Sequence, residues 1–146
     1  MFEGQIRPLN VLLVEDNPGD IRLMREALRD GSATKKLDAV EDGEEALAYL
    51  RREAPYGNAP KPDLIFLDLN LPKKDGREVL NEIKRDDQLR RIPVVILTTS
   101  EAERDVARAY ELHANCYIKK PTDLDEYMQV IRACENFWLQ IVRLPR

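Results

Sequence analysis

The sequence predicts an α/β domain built on one parallel sheet, and three observations predict it. Short apolar runs recur along the chain: Val11-Leu-Leu-Val14, Leu64-Ile-Phe-Leu67, Val94-Val-Ile-Leu97 and Cys116-Tyr-Ile118. Consecutive large apolar residues of this kind suit strands buried on both faces. The segments between the runs carry apolar residues at helical spacing, so strand and helix alternate, which implies right-handed crossovers and strands that all point the same way. Finally, each run delivers chemistry-bearing residues to its end: Glu15-Asp16, Asp68, Thr98-Thr99-Ser100 and Lys119-Lys120-Pro121. Parallel strands gather those ends on one edge of the sheet, the edge where ligands bind in open α/β folds.

In chain order, the first strand ends at Val14, and Asn17-Pro18 starts a helix: Asn17 caps free amides and Pro18 sits where a missing N–H costs nothing. Ile21, Met24 and Leu28 form its inner stripe and Gly31 ends it. Leu37-Asp-Ala-Val40 is the second strand. Asp42-Gly43 opens a second helix with Ala46, Leu47 and Leu50 inward. It dissolves into Glu53–Pro62, where Pro55, Gly57, Pro60 and Pro62 forbid helix and favour an extended surface loop. After Asp68 the turn Lys73-Lys74-Asp75-Gly76 leads into a helix with Val79, Leu80 and Ile83 inward. Ile92-Pro93 starts the fourth strand. A charged helix from about Glu101 to Leu112 carries only Val106, Ala107, Ala109 and Tyr110 as an apolar stripe, and so narrow a stripe is loosely held. The last helix begins near Asp123 and carries Leu124, Met128, Ile131, Cys134 or Glu135, Trp138 and Ile141. Run to Val142, it spans ~30 Å, about the width of the domain, so its far end overhangs.

The chain's 146 residues, 43% of them hydrophobic, make one domain with a proper core and no linker. Its net charge of −4, from 27 acids and 23 bases, is spread along the chain and leaves no electrostatic footprint for nucleic acid. Cys116 and Cys134 make neither a disulfide framework nor a metal spacing; they read as core residues of a reduced, cytoplasmic protein. The amino end, Met1–Arg7, has no signal pattern, and no run approaches the ~20 apolar residues of a membrane span.

Glu15, Asp16 and Asp68 gathered at one edge repel one another unless a cation relieves them. Oxygen ligands without His or Cys suit a hard divalent ion that keeps several waters, which is Mg²⁺. Asp16 and Asp68 are the expected direct ligands, Glu15 acts through water, and the backbone carbonyl of Asn70 completes the protein side. With Lys120 beside them the site suits phosphoryl transfer: Mg²⁺ and Lys120 neutralise phosphoryl oxygens, Thr98 offers a hydroxyl, and Asp68 is the attacking nucleophile. Each residue also has a plainer explanation. Glu15 and Asp16 would complement a helix dipole, Asp68 would be a turn aspartate, Thr98 would cap the following helix, and Lys120 would merely precede a proline. Hydrolysis of external phosphoesters is disfavoured because Asn70, two positions beyond Asp68, cannot protonate a leaving group. A Gly-rich nucleotide cradle is missing, and His113, the only histidine, reads as a helix C-terminal residue.

These residues resemble the receiver domain of two-component response regulators. Val-Leu-Leu-Val-Glu15-Asp16-Asn, Leu-Asp68-Leu-Asn-Leu-Pro72 with Asp75-Gly76, Leu97-Thr98-Thr and Tyr117-Ile-Lys-Lys120-Pro121 match in order and spacing over residues ~9–142. The resemblance implies a three-layer flavodoxin-like (βα)5 fold with a five-stranded parallel sheet in order 2-1-3-4-5. It makes Asp68 the acceptor of phosphate from a sensor histidine kinase, a stoichiometric step rather than enzymatic turnover. Glu15 and Asp16 become the acidic Mg²⁺ pair, Lys120 the phosphate contact, Thr98 the switch hydroxyl and Tyr117 the rotating aromatic. Phosphate pulls Thr98 inward, Tyr117 turns into the space, and the face of the fourth helix, fifth strand and fifth helix changes. The Pro-rich loop, Leu112-His-Ala-Asn-Cys-Tyr117 and the terminal Phe137–Pro145 are similar to the single-domain regulators associated with bacterial phytochrome kinases. That likeness implies one receiver domain over 1–146, an extended helix over 123–142 and no DNA-binding output domain. Independently, Phe137, Trp138, Leu139, Ile141, Val142 and Leu144 place apolar residues on several sides of a helix end that one small domain cannot cover, so a homodimer through this helix, with Phe137, Trp138, Ile141 and Val142 at the interface, is expected. A constitutive docking module with an idle acidic pocket is the competing reading.

Overall fold

The computed structural model describes residues 8–29 and 35–145. The amino-terminal Met1–Arg7 and the Gly31 helix stop lie outside the described residues. Strands β1 (Leu9–Val14), β2 (Lys35–Val40), β3 (Leu64–Leu67), β4 (Val94–Thr98) and β5 (Cys116–Lys119) alternate with helices α1 (Pro18–Arg29), α2 (Gly43–Leu50), α3 (Gly76–Arg85), α4 (Glu103–Glu111) and α5 (Leu124–Glu135). The sheet is five-stranded and parallel, in the order β2-β1-β3-β4-β5 expected for a flavodoxin-like fold.

The period-2 rule sorts the core into two halves. Leu12, Val14, Ile65, Leu67, Val94 and Ile96 face α2, α3 and α4, meeting Ala46, Leu47, Val79, Leu80, Ile83 and Ala109. Val11, Leu13, Leu64, Phe66, Val95 and Leu97 face α1 and α5, meeting Met24, Leu28, Tyr127, Ile131 and Cys134. The three central strands are therefore apolar on both faces over residues 11–14, 64–67 and 94–97. The edge strands are half-buried, and β2 begins two residues earlier than its apolar part, at Lys35, because an edge tolerates charge.

Asparagine and aspartate side chains start four of the helices. Asn17 accepts from the Asp20 N–H at 3.1 Å, Asp42 from Glu45 at 2.7 Å, Asp75 from Arg77 at 2.9 Å and Asp123 from Asp125 at 2.8 Å. Helix α4 has no side-chain cap and starts at Glu103, so Thr98 is not its cap. Only Ala109 of α4 is buried; Ala107 and Tyr110 of its expected stripe are exposed. The loosely held helix read from the sequence is what the structure contains. At its end His113 adopts φ 73°, and the His113 and Ala114 N–H groups reach back to Tyr110 and Ala109 carbonyls at 2.9 and 3.0 Å. That pattern closes the helix with a residue in the left-handed conformation.

Helix α5 does not continue with α winding to Val142. From Asn136 to Ile141 it is wound as a π-helix. The wider winding changes which side chains face inward. Leu139 is buried and Trp138 packs on the core, whereas Leu124 and Ile141, at the two ends of the expected inner stripe, are 69% and 66% exposed. Glu135 is buried in an ion pair with Lys35 at 2.6 Å, tying the end of α5 to the start of β2. Among the described residues no helix is long and apolar enough to cross a membrane.

Candidate phosphoryl and metal site

The site forms at the carboxyl ends of the strands, with Glu15, Asp68 and Lys120 each one residue past β1, β3 and β5 and Thr98 closing β4. Backbone pairing continues just past them: Glu15 N–H to Val40 at 3.0 Å, Asp68 N–H to Val14 at 3.1 Å and Lys120 N–H to Thr98 at 2.7 Å. Residues distant in sequence are thereby held side by side before any side chain interacts. The expected convergence of Glu15, Asp16, Asp68, Thr98 and Lys120 is present.

Asp68 is 7% exposed and both of its oxygens are engaged. Oδ1 accepts from the Thr98 hydroxyl at 2.8 Å and from the Asn70 N–H at 3.1 Å, and Oδ2 accepts from the Lys120 ammonium at 3.1 Å. Lys120 also donates to Glu15 and, at 2.9 Å, to Asp20. Asp20 was not among the residues singled out in the sequence. Its only signal is its place in the first turn of α1, four residues after Asp16, and an acid there is explained equally well by the helix dipole.

The floor beneath Asp68 requires Gly76. A Cβ at that position would lie 2.2 Å from the Asp68 carbonyl oxygen and 2.6 Å from Leu69 Cα. The Gly76 N–H in turn bonds the Leu69 carbonyl at 2.9 Å, clamping the loop after β3 against the start of α3.

One oxygen each from Glu15, Asp16 and Asp68 lies within 4.8 Å of the others, with Asp16 at the solvent side. This all-oxygen set fits a hard divalent ion. Glu15 has its oxygens committed to Lys120 and to the Asn17 N–H at 3.1 Å, which suits a role one water removed from the ion.

Burial pushes the Glu15 carboxyl up to about 7 from 4.5, only partly offset by its bond to Lys120. Burial pulls on the Lys120 ammonium in the opposite sense, but its bonds to Asp20 and Glu15 outweigh that and hold its pKa above the ordinary lysine value. A carboxyl raised in the folded state keeps its proton after the unfolded chain has lost it, so its contribution to stability falls as pH rises from about 4.5 to about 7. The unfolding midpoint of the metal-free protein is expected to decline across that window, and saturating Mg²⁺ to flatten the decline by favouring the ionised cluster. Thermal melts at several pH values with and without Mg²⁺ check this.

Tyr117 is bonded at both its backbone and its ring hydroxyl. The Tyr117 hydroxyl donates to the Ser100 carbonyl at 2.8 Å, and the Tyr117 N–H donates to the Tyr110 hydroxyl at 3.1 Å. The Ser100 hydroxyl bonds Asp105, whose carboxylate pairs with Arg77 at 2.9 Å, while Arg77 also pairs with Asp75 at 2.9 Å. A polar chain thus runs from the loop after β3, through α3 and α4, to the tyrosine. Sequence reading missed Arg77 and Asp105 because their pairing depends on how two helices pack. The Thr98 hydroxyl is turned inward, onto Asp68.

The tail residues expected at an interface divide. Phe137 and Ile141 are 50% and 66% exposed. Trp138 and Val142 are half-buried, and Trp138 packs edge-on to Phe137. Both cysteines are free.

The response regulator receiver domain model matches residues 11–132. Response regulator Rcp1 of Synechocystis sp. is 50% identical over 138 residues, covering 94% of each chain. Among solved structures, the phosphorylated cyanobacterial phytochrome response regulator RcpA superposes with a TM-score of 0.94 at 53% identity, over 96% of this chain and 100% of that one. The Mn(2+)-bound form of Rcp1 does so with a TM-score of 0.93 at 50% identity, over 95% of this chain and all of the other. Fold, acidic cleft and these likenesses agree, and the chain belongs to the response regulator receiver family of two-component signalling.

Proposed function

We propose that this receiver works as a phosphorylation switch in which Asp68 takes a phosphoryl group from the phosphohistidine of a sensor kinase in the cytoplasm, with Mg²⁺ bound by Asp16, Asp68 and the Asn70 carbonyl. The P–N bond breaks with its electron pair going to the imidazole, and a P–O bond forms to Asp68. No general base is needed, because the attacking carboxylate is already ionised. The observation that carries the reading is the surround of Asp68: one ammonium at 3.1 Å, one hydroxyl at 2.8 Å and two further carboxylates clustered with it. Bound Mg²⁺ would supply charge neutralisation at the transferring phosphoryl oxygens, with Lys120 and Thr98 completing it. Likeness to a phytochrome response regulator supports a phytochrome as the kinase.

With Mg²⁺ and acetyl phosphate, intact-mass analysis is expected to find one added phosphoryl group, absent with EDTA and absent in Asp68→Asn. No Mg²⁺-dependent adduct on the folded wild type would refute the switch and favour the docking module.

The output face is α4, β5 and α5. Among the described residues the exposed large apolar side chains are Tyr110 on α4, Leu124 on α5 and Phe137 and Ile141 on the π-wound tail, and they support self-association of two copies through this face and the tail. Because Leu139 and Leu144 pack on the core, point changes are cleaner than truncation. Phe137→Gln with Ile141→Gln is expected to convert a dimer to a monomer in sedimentation while the circular dichroism spectrum stays that of the folded chain. An unchanged mass would remove the dimer.

A further inference from the structure

A lysine ammonium has three N–H donors, and those of Lys120 are all committed, to Glu15, Asp20 and Asp68. Lys120 therefore cannot meet a phosphoryl group on Asp68 until it gives up an acceptor. Asp68 is the reacting group, and Glu15 is 2% exposed, so losing its cation would strand a carboxylate away from water. Asp20 differs from both. Its side chain is 24% exposed, it stands on the first turn of α1 with its N–H fixed by Asn17, and it lies outside the oxygen cluster of Glu15, Asp16 and Asp68. Water can take over its carboxylate when Lys120 departs.

The geometry points to Asp20 as a positioning residue for phosphoryl transfer: it holds one N–H of the Lys120 ammonium before the reaction and releases it to the phosphoryl oxygens as the new bond forms. The inference rests on the reading that Asp68 accepts phosphate. Asp20 also adds a negative charge beside the path of an anionic donor, so it opposes transfer in two ways: by occupying the cation and by repelling the donor. The consequence is a receiver held back until a kinase presents the phosphoryl group in register.

The experiment compares the rate of Asp68 phosphorylation by acetyl phosphate in wild type, Asp20→Asn and Asp20→Glu, together with Mg²⁺ affinity and the unfolding midpoint. Asp20→Asn keeps the shape and removes the charge, and is expected to raise the rate about fivefold, the scale of a partly exposed ion pair. Mg²⁺ affinity should stay within about twofold, because Asp20 is outside the cluster that would hold the ion. Asp20→Glu restores a carboxylate and should return the rate toward wild type. A rate in Asp20→Asn equal to or below wild type, with the fold intact, overturns the inference while leaving the acceptor role of Asp68 standing. A fall of tenfold or more in Mg²⁺ affinity overturns it as well, by placing Asp20 in the metal shell. If wild type itself takes no phosphate, the functional reading fails and takes this inference with it. A purely structural role for Asp20 would lower the midpoint without raising the rate.

Discussion

Replacing Lys120 with alanine is expected to cost about 3 kcal/mol of stability at pH 8, the scale of removing one partner from a buried ion pair. Among the described residues Lys120 is the one cation bonded to Glu15, Asp20 and Asp68 together, and it is itself 5% exposed. Without it the clustered carboxylates repel one another with nothing to offset them. The loss should shrink toward pH 5, where Glu15 can take a proton, and should shrink again in Mg²⁺, which replaces the missing charge. Urea titrations at two pH values, with and without Mg²⁺, measure this; a pH- and Mg²⁺-independent loss would mean that Lys120 contributes packing rather than charge. The variant should also lose nearly all transfer from acetyl phosphate, since the remaining ion must neutralise the phosphoryl oxygens alone.

The second large effect belongs to a residue with no functional group. Gly76→Ala places a methyl 2.2 Å from the Asp68 carbonyl oxygen, and that backbone must move. Overpacking of this kind costs about 2–3 kcal/mol. A displacement of about 1 Å at a reacting group costs about 100-fold in rate. Gly43→Ala is the internal control. Its Cβ would meet the Lys74 carbonyl oxygen at 2.0 Å, so it should cost comparable stability with a much smaller effect on transfer, because the strain falls away from the acceptor. If both variants lose stability and rate in the same proportion, Gly76 serves the fold alone and not the placement of Asp68.

The parts of this molecule that could be read from its sequence are those where burial dictates composition on both sides of a strand. β1, β3 and β4 are enclosed by helices on each face, so their apolar runs are unbroken and their ends locate Glu15, Asp16, Asp68 and Thr98 with little ambiguity. At the edges the constraint is weaker, which is why β2 extends to Lys35 beyond its apolar core. The tail was misjudged for a different reason. Apolar residues spaced three and four apart describe an α-helix, but nothing in that spacing signals a change to π winding, which turns Leu139 inward and leaves Ile141 in solvent.

Within the site, strand-end acids and the lysine before a proline were legible because parallel topology alone brings them together. Asp20 and the Arg77–Asp105 pair were not, since each depends on how a helix is seated against its neighbour. Those helix-borne contacts are also the ones that distinguish this receiver's restraint on Lys120 and its link from the acceptor loop to α4 from the bare chemistry of the cleft.

The proposed switch depends on Asp68 as the residue whose oxygen receives the phosphoryl group. The direct measurement is reduction of the Mg²⁺- and acetyl phosphate-treated protein with borohydride, followed by peptide mass mapping, because an acyl phosphate is reduced to an alcohol where it forms. Homoserine at position 68 and at no other acidic residue is the result expected. Label at Asp16, Asp20 or Asp63, or none on folded protein, would contradict it.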